Sequence, residues 1–317
     1  MSSLVPPESF QESEPRPLRD IFLALAEELP RTRNQLVKWG VRVPNESRLH
    51  QAEDSLRALA ERGSLPLDDD EVRPAVNALW TASDFADIGE YLPAERVKSV
   101  RRELEQALQG PLWPHAGQRQ SLQLQTQHWL GALFLHHGVR IEHVRFKHDD
   151  SRKAPEFMVE RGLHKLGIEV KRPESVRRIE ASVADARDKF LARDCAGGVV
   201  IEITDLLENT SSDQFVAKAR ELALRAYSTV WRLPNRGFHS GFERVIYVAV
   251  LGRGLWTAAG EQRNRLRASG IAFTAPFAQP NGGLRDFQGR WLQQTLYGAF
   301  NDVVARLQRR AAKRDSA

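Results

Sequence analysis

Residues 153–173, KAPEFMVERGLHKLGIEVKRP, constrain this chain more than any other stretch. Pro155 and Glu156 stand at a strand start, Phe157, Met158 and Val159 form its apolar body, and Ile168 with Val170 begins a second strand. Arg161-Gly162 and residues 165–167 carry turn chemistry between them, so the stretch predicts a hairpin. Side chains alternate along a strand, which sets Glu169 and Lys171 on one face and Ile168 and Val170 on the other. An acid and an amine are thereby displayed together. Such a pair on an edge hairpin is commonly a solvated ion pair of little energetic value. Three features set this one apart: Pro155-Glu156 upstream at hairpin distance, Arg172 directly after the lysine, and Pro173, which halts the strand where acid and amine must be held.

The flanking sequence extends the pattern. Residues 118–137 read as a helix with Leu122, Trp129, Leu130, Leu133 and Phe134 on its apolar side and Gly138 as a left-handed cap. Residues 140–146 alternate like a strand. Beyond Pro173, residues 175–193 place Val176, Ile179, Val183, Ala186 and Phe190 at helical spacing, and Gly197-Gly198 breaks that helix before a strand at 199–203.

With Glu156 and Glu169-Val170-Lys171, this order of helix, three strands, helix and strand over residues 118–205 resembles the PD-(D/E)XK nuclease superfamily. The resemblance implies an α/β fold with a restriction-endonuclease-like core, a central mixed sheet flanked by helices. It implies metal-dependent hydrolysis of phosphodiester bonds in nucleic acid, with DNA the expected substrate. Glu156 and Glu169 would be ligands of Mg2+ (or Mn2+), the carbonyl of Val170 a further ligand, and Lys171 the catalytic amine. Arg172 is expected to meet a neighbouring phosphate, and Lys189 on the following helix to face the site. The chain departs from the family pattern twice. Glu156 stands where aspartate is usual, and the preceding helix offers Gln127 (or Gln123) where many relatives have glutamate.

The chemistry asked of these residues is specific. Phosphodiester hydrolysis needs an activated water and stabilisation of charge on a pentacoordinate phosphate, and a hard divalent cation held by carboxylates supplies both. Two protein carboxylates suffice, because magnesium usually keeps several waters. Lys171 would orient or help deprotonate the attacking water and offset charge in the transition state.

Around this core the chain reads as two parts. Residues 1–16 are polar and proline-bearing and are expected to lack fixed structure. Residues 17–110 read as an all-helical domain, with one helix running from Leu18 to a stop at Pro30, a second over 46–62 closed by Gly63, and a third opened by Asp68-Asp69-Asp70-Glu71. Those four acids suit a helix N-terminus better than a metal cluster. Ser83-Asp84 is expected to open a short helix and Pro93 a longer one with Arg96, Lys98, Arg101 and Arg102 on its exposed side. Residues 111–317 are the nuclease-like domain. Within it 211–231 reads as a helix, 245–251 as a strand too apolar for an edge, Gly252 and Gly254 as a turn, 271–277 as a last strand and 291–307 as a closing helix. Arg306, Arg309, Arg310, Lys313 and Arg314 read as a frayed basic tail.

Composition adds bounds. The 317 residues are 41% hydrophobic and 27% charged, ample for a core, and the net charge of +5 is compatible with a polyanionic partner without requiring one. One cysteine, Cys195, excludes an internal disulfide, and no apolar run approaches a membrane span, so a cytoplasmic protein with no membrane partner is expected. His136, His137, His143 and His148 lack partners at zinc-site spacing. Double-strand cutting by such a core often uses two copies, so a homodimer is among the expected partners. Two other readings stay open: a catalytically inactive nuclease-fold protein that binds nucleic acid or a protein partner, and a helical interaction module in which the motif is coincidental.

Overall fold

The computed structural model describes residues 8–12, 16–64, 69–113, 119–138, 140–143, 154–161, 164–207, 210–231, 244–257 and 265–276, with Arg306 and Arg309. The fold is mixed α/β and divides into two compact units. One unit comprises Glu12–Leu133, Leu255–Ser269 and Asp302–Ala317; the other comprises Met1–Gln11, Phe134–Gly254 and Gly270–Asn301. No helix among the described residues is long and apolar enough to cross a membrane.

The first unit is helical: α1 (Leu18–Lys38), α2 (Arg48–Arg62), α3 (Asp69–Tyr91), α4 (Ala94–Ala107) and most of α5 (Gln120–His136). Leu18, Ile21, Phe22, Leu25, Leu29 and Leu36 form the buried stripe of α1. That stripe runs past Pro30, so the helix does not stop there. A proline inside a helix removes one backbone hydrogen bond, and burial on both sides of it holds the helix together. Ser83 and Asp84 likewise open no new helix, because α3 is continuous through them and both side chains are buried.

Their burial is explained by a polar network. Gln125 Nε2 donates to Asp84 Oδ2 at 2.7 Å, Trp129 Nε1 donates to Asp87 at 3.0 Å, and the fully buried Arg48 donates to Thr81 Oγ1 at 3.1 Å and to the Ala107 carbonyl at 3.2 Å. Arg306 joins it, 3 % exposed and 3.4 Å from Asp87, so this member of the supposed frayed tail is an internal ion-pair partner. These contacts tie α5 into the helical unit, although the sequence boundary at 110/111 assigned it to the nuclease-like domain.

The second unit contains most of the sheet. Its order is β1-β8-β7-β6-β5-β4-β3, where β1 is Glu8–Glu12, β3 Arg140–His143, β4 Phe157–Arg161, β5 His164–Lys171, β6 Gly197–Glu202, β7 Val245–Thr257 and β8 Arg265–Pro276. The short β2 (Arg16–Pro17) also pairs β8. Residues 8–12 thus form a strand where no fixed structure was expected. The meander β3-β4-β5 is antiparallel, whereas β5-β6-β7 is parallel. Parallel neighbours need crossovers, and α6 (Arg178–Ala192) and α7 (Ser212–Trp231) supply them. Gly252 and Gly254 lie within β7, not in a turn. The expected helix at 291–307 lies outside the described residues except for Arg306, which is helical.

Close approach of α6 to the sheet explains two more differences. Gly167 and Gly197 face each other in the β5–β6 pair. A Cβ on Gly197 would stand 2.2 Å from the Gly167 carbonyl oxygen and 2.7 Å from the Phe190 ring; one on Gly167 would stand 2.8 Å from that ring. Residues 165–167 and 197–198, which look like turn chemistry, are strand positions, and Gly167 and Gly197 among them are bare so that Phe190 of α6 seats on them.

Candidate active site

Strand β5 carries Gly167, Glu169 and Lys171 on one face by alternation. Phe190 seats on Gly167, so α6 covers that face, and helical spacing brings Lys189 and Asp185, four residues apart, over the two charged side chains. Glu156 arrives from the other side of the hairpin: the register sets Phe157 opposite Ile168, which places Glu156 beside Glu169 just before β4 begins. Local strand geometry, hairpin register and helix seating each contribute.

The five side chains form one charge cluster. Glu169 is fully buried, and its Oε1 lies 2.7 Å from Lys171 Nζ and 2.5 Å from Lys189 Nζ. Lys171 also pairs with Asp185 Oδ2. Lys189 Nζ lies 3.7 Å from Glu156 Oε1 and 3.9 Å from Asp185 Oδ2. Three carboxylates against two ammonium groups leave one net negative charge. Burial acts to lower the Lys171 pKa, but the Glu169 carboxylate and the Asp185 and Glu169 hydrogen bonds outweigh it and push it well above the usual lysine value. Lys171 is therefore a cation at neutral pH.

Glu169 has one oxygen left over. Its Oε2 is buried and has no hydrogen-bond partner. A buried acceptor of this kind calls for an account, and an ion is one. Carboxylate oxygens suit a hard divalent cation, so the residues present fit Mg2+ or Mn2+ chemically. Among the described residues no three His, Cys, Asp or Glu side chains stand ready to share one ion; here lysine ammonium groups span the carboxylates.

Val170, Gln127 and Arg172 are the remaining expected residues. Val170 sits between Glu169 and Lys171 with its side chain buried. Gln127 is buried on α5 in the helical unit. Arg172 does not join the cluster and corrects the expectation of a phosphate contact. One residue on from Lys171, it falls on the opposite face, 7 % exposed. Its guanidinium donates to Asp205 from Nε at 2.9 Å and from Nη2 at 2.5 Å, and Nη1 lies 3.2 Å from Glu202 Oε2. Arg253 at 2.6 Å and the Thr204 hydroxyl at 3.0 Å donate to the same Glu202. Arg172 braces the end of β5 from within.

Sequence reading missed Asp185. The signal was present, since an acid four residues before Lys189 shares its helix face, but only the seating of α6 on Gly167 shows that this face meets β5. Cys195 is partly buried, and burial, more than its neighbours, raises its thiol pKa. Comparison with known families, curated proteins and solved structures gives no match to this chain.

Proposed function

We propose that the chain is a metal-dependent nuclease of PD-(D/E)XK type that hydrolyses phosphodiester bonds of nucleic acid, with DNA the expected substrate. The observation that carries the proposal is the buried, unpartnered Oε2 of Glu169 inside a cluster that also holds Glu156, Lys171 and Lys189. A restriction-endonuclease-like core accounts for the antiparallel meander joined to parallel strands through α6.

Glu156, Glu169 and the Val170 carbonyl would hold Mg2+ or Mn2+. Bound there, the ion supplies an acidified water and neutralises charge developing on the phosphate. Lys171 keeps its proton at neutral pH, so it serves as a donor: it orients the attacking water and offsets negative charge in the transition state. Lys189 adds a second positive group toward a bound phosphate. Exposed Lys98, Arg101 and Arg102 on α4 give the helical unit a face suited to a polyanion. A homodimer would bring two such sites to the two strands of a duplex.

The test is a cleavage panel of supercoiled plasmid, linear duplex, single-stranded DNA and RNA with Mg2+ or Mn2+. Low salt is required, because phosphate contacts weaken steeply as salt rises. Metal-dependent cutting of any substrate supports the proposal and identifies the substrate. One feature favours the inactive, binding-only reading: two ammonium groups already compensate Glu169 Oε1. Binding of nucleic acid without cutting on any substrate would establish that reading instead.

A further inference from the structure

We infer that Asp185 is the third carboxylate of the cation site and that Lys189 is an internal, tethered cation standing where the divalent ion must go. The inference deepens the metal-site reading above and rests on it. Its geometry lies in one atom. Lys189 Nζ is 2.5 Å from Glu169, 3.7 Å from Glu156 and 3.9 Å from Asp185, so a positive charge already occupies a point enclosed by three carboxylates from β5, the hairpin and α6. The second, independent observation is Glu169 Oε2, fully buried and unpartnered beside that point. An ammonium satisfies one oxygen of a carboxylate and leaves the other; a divalent cation draws on both charge and lone pairs.

Asp185 takes the place of the carboxylate that the preceding helix does not offer. It is half-exposed and paired with Lys171, so it can turn toward an entering ion without unburying a charge. Lys189 is 11 % exposed on the rim of the cluster, and its long stem lets the ammonium swing toward solvent or a substrate phosphate when the ion enters. Metal binding and the Lys189 contact to Glu169 are therefore mutually exclusive. Each weakens the other by the same factor, since coupling between two ligands of one site is reciprocal.

The test is titration of the full chain with Mn2+, reading free Mn2+ by electron paramagnetic resonance. Lys189→Met keeps the stem and removes the charge. It is expected to tighten Mn2+ binding about fivefold or more, the lower bound of ordinary coupling. Asp185→Asn is expected to weaken binding by about tenfold or more. Lys218→Met, on α7 and paired with Glu221, removes an equal charge outside the cluster and is expected to leave affinity unchanged. Circular dichroism melts confirm that each variant is folded, and Lys189→Gln repeats the test with a polar replacement. Mn2+ binding to the wild type with no tightening in either Lys189 variant would overturn the tethered-cation inference while sparing the metal site. Unchanged affinity in Asp185→Asn would remove Asp185 from the ligand set. No Mn2+ bound by wild type or Lys189→Met would overturn the metal-site reading and this inference together.

Discussion

Arg172→Met is the perturbation whose outcome the structure determines most fully. The substitution removes both hydrogen bonds to Asp205 and the 3.2 Å contact to Glu202, while Glu202 keeps Arg253 and Thr204. The loss falls mainly on Asp205, whose side chain is 2 % exposed. Removing one partner of a buried pair costs about 3–5 kcal/mol, and the surviving Glu202 contacts put this case near the lower end, about 3 kcal/mol. At roughly 2–4 °C per kcal/mol for units of this size, the melting midpoint should fall by about 6–12 °C. A thermal melt followed by circular dichroism measures the midpoint and a urea titration the free-energy loss, and a cycle with Asp205→Asn should return a coupling of about 1–3 kcal/mol. A phosphate-contacting Arg172 predicts the opposite pattern: unchanged stability and a salt slope of duplex binding smaller by about one. A stability loss under about 1 kcal/mol, with additive single substitutions, would refute the bracing role.

Three further outcomes follow from the same geometry. Gly197→Ala drives a Cβ to 2.2 Å from backbone and 2.7 Å from Phe190, so it should cost about 1–3 kcal/mol or more in a thermal melt; an unchanged midpoint would show that α6 does not seat on β5 and β6. Lys171 has a folded pKa raised above its ordinary 10.5, so its ion pairs stabilise fully below that value and are lost as pH rises through the folded one. The stability difference between wild type and Lys171→Met should thus be flat from about pH 7 to pH 10 and shrink above, whereas a decline near neutrality would contradict the pairing. Burial raises the Cys195 thiol, so iodoacetamide should label it more slowly than free glutathione at neutral pH, and equal rates would show an exposed thiol.

The parts of the fold legible in the sequence are those set by local periodicity. The apolar body at residues 157–159 and the alternation over 168–171 suffice to read two adjacent strands and to set Glu169 and Lys171 on one face, although β5 begins earlier, at His164, and Gly63 and Gly138 mark the ends of α2 and α5. Local signals misled where tertiary burial overrides them. Pro30 lies within a stripe buried on both sides, Ser83-Asp84 resembles a cap but is buried among Gln125 and its neighbours, and the glycines of β5, β6 and β7 resemble turns. The candidate site divides in the same way. Its hairpin half is a short-range pattern, but Asp185 reaches Lys171 only through the seating of α6, and Arg172 finds Asp205 across 33 residues. No spacing rule encodes either contact.

Glu169 and Lys171 are proposed to cut nucleic acid with a divalent cation, and single-turnover cleavage decides whether they do. Wild type, Glu169→Gln, Lys171→Met and the control Glu180→Gln, an exposed α6 residue paired with Arg225, would be compared with Mn2+, Mg2+ and chelator on the best substrate of the panel. Metal-dependent cutting is expected to fall about 100-fold or more in both cluster variants and to be unchanged in the control. Cutting that persists at the wild-type rate in Glu169→Gln and Lys171→Met, or that survives chelation, would contradict the proposal.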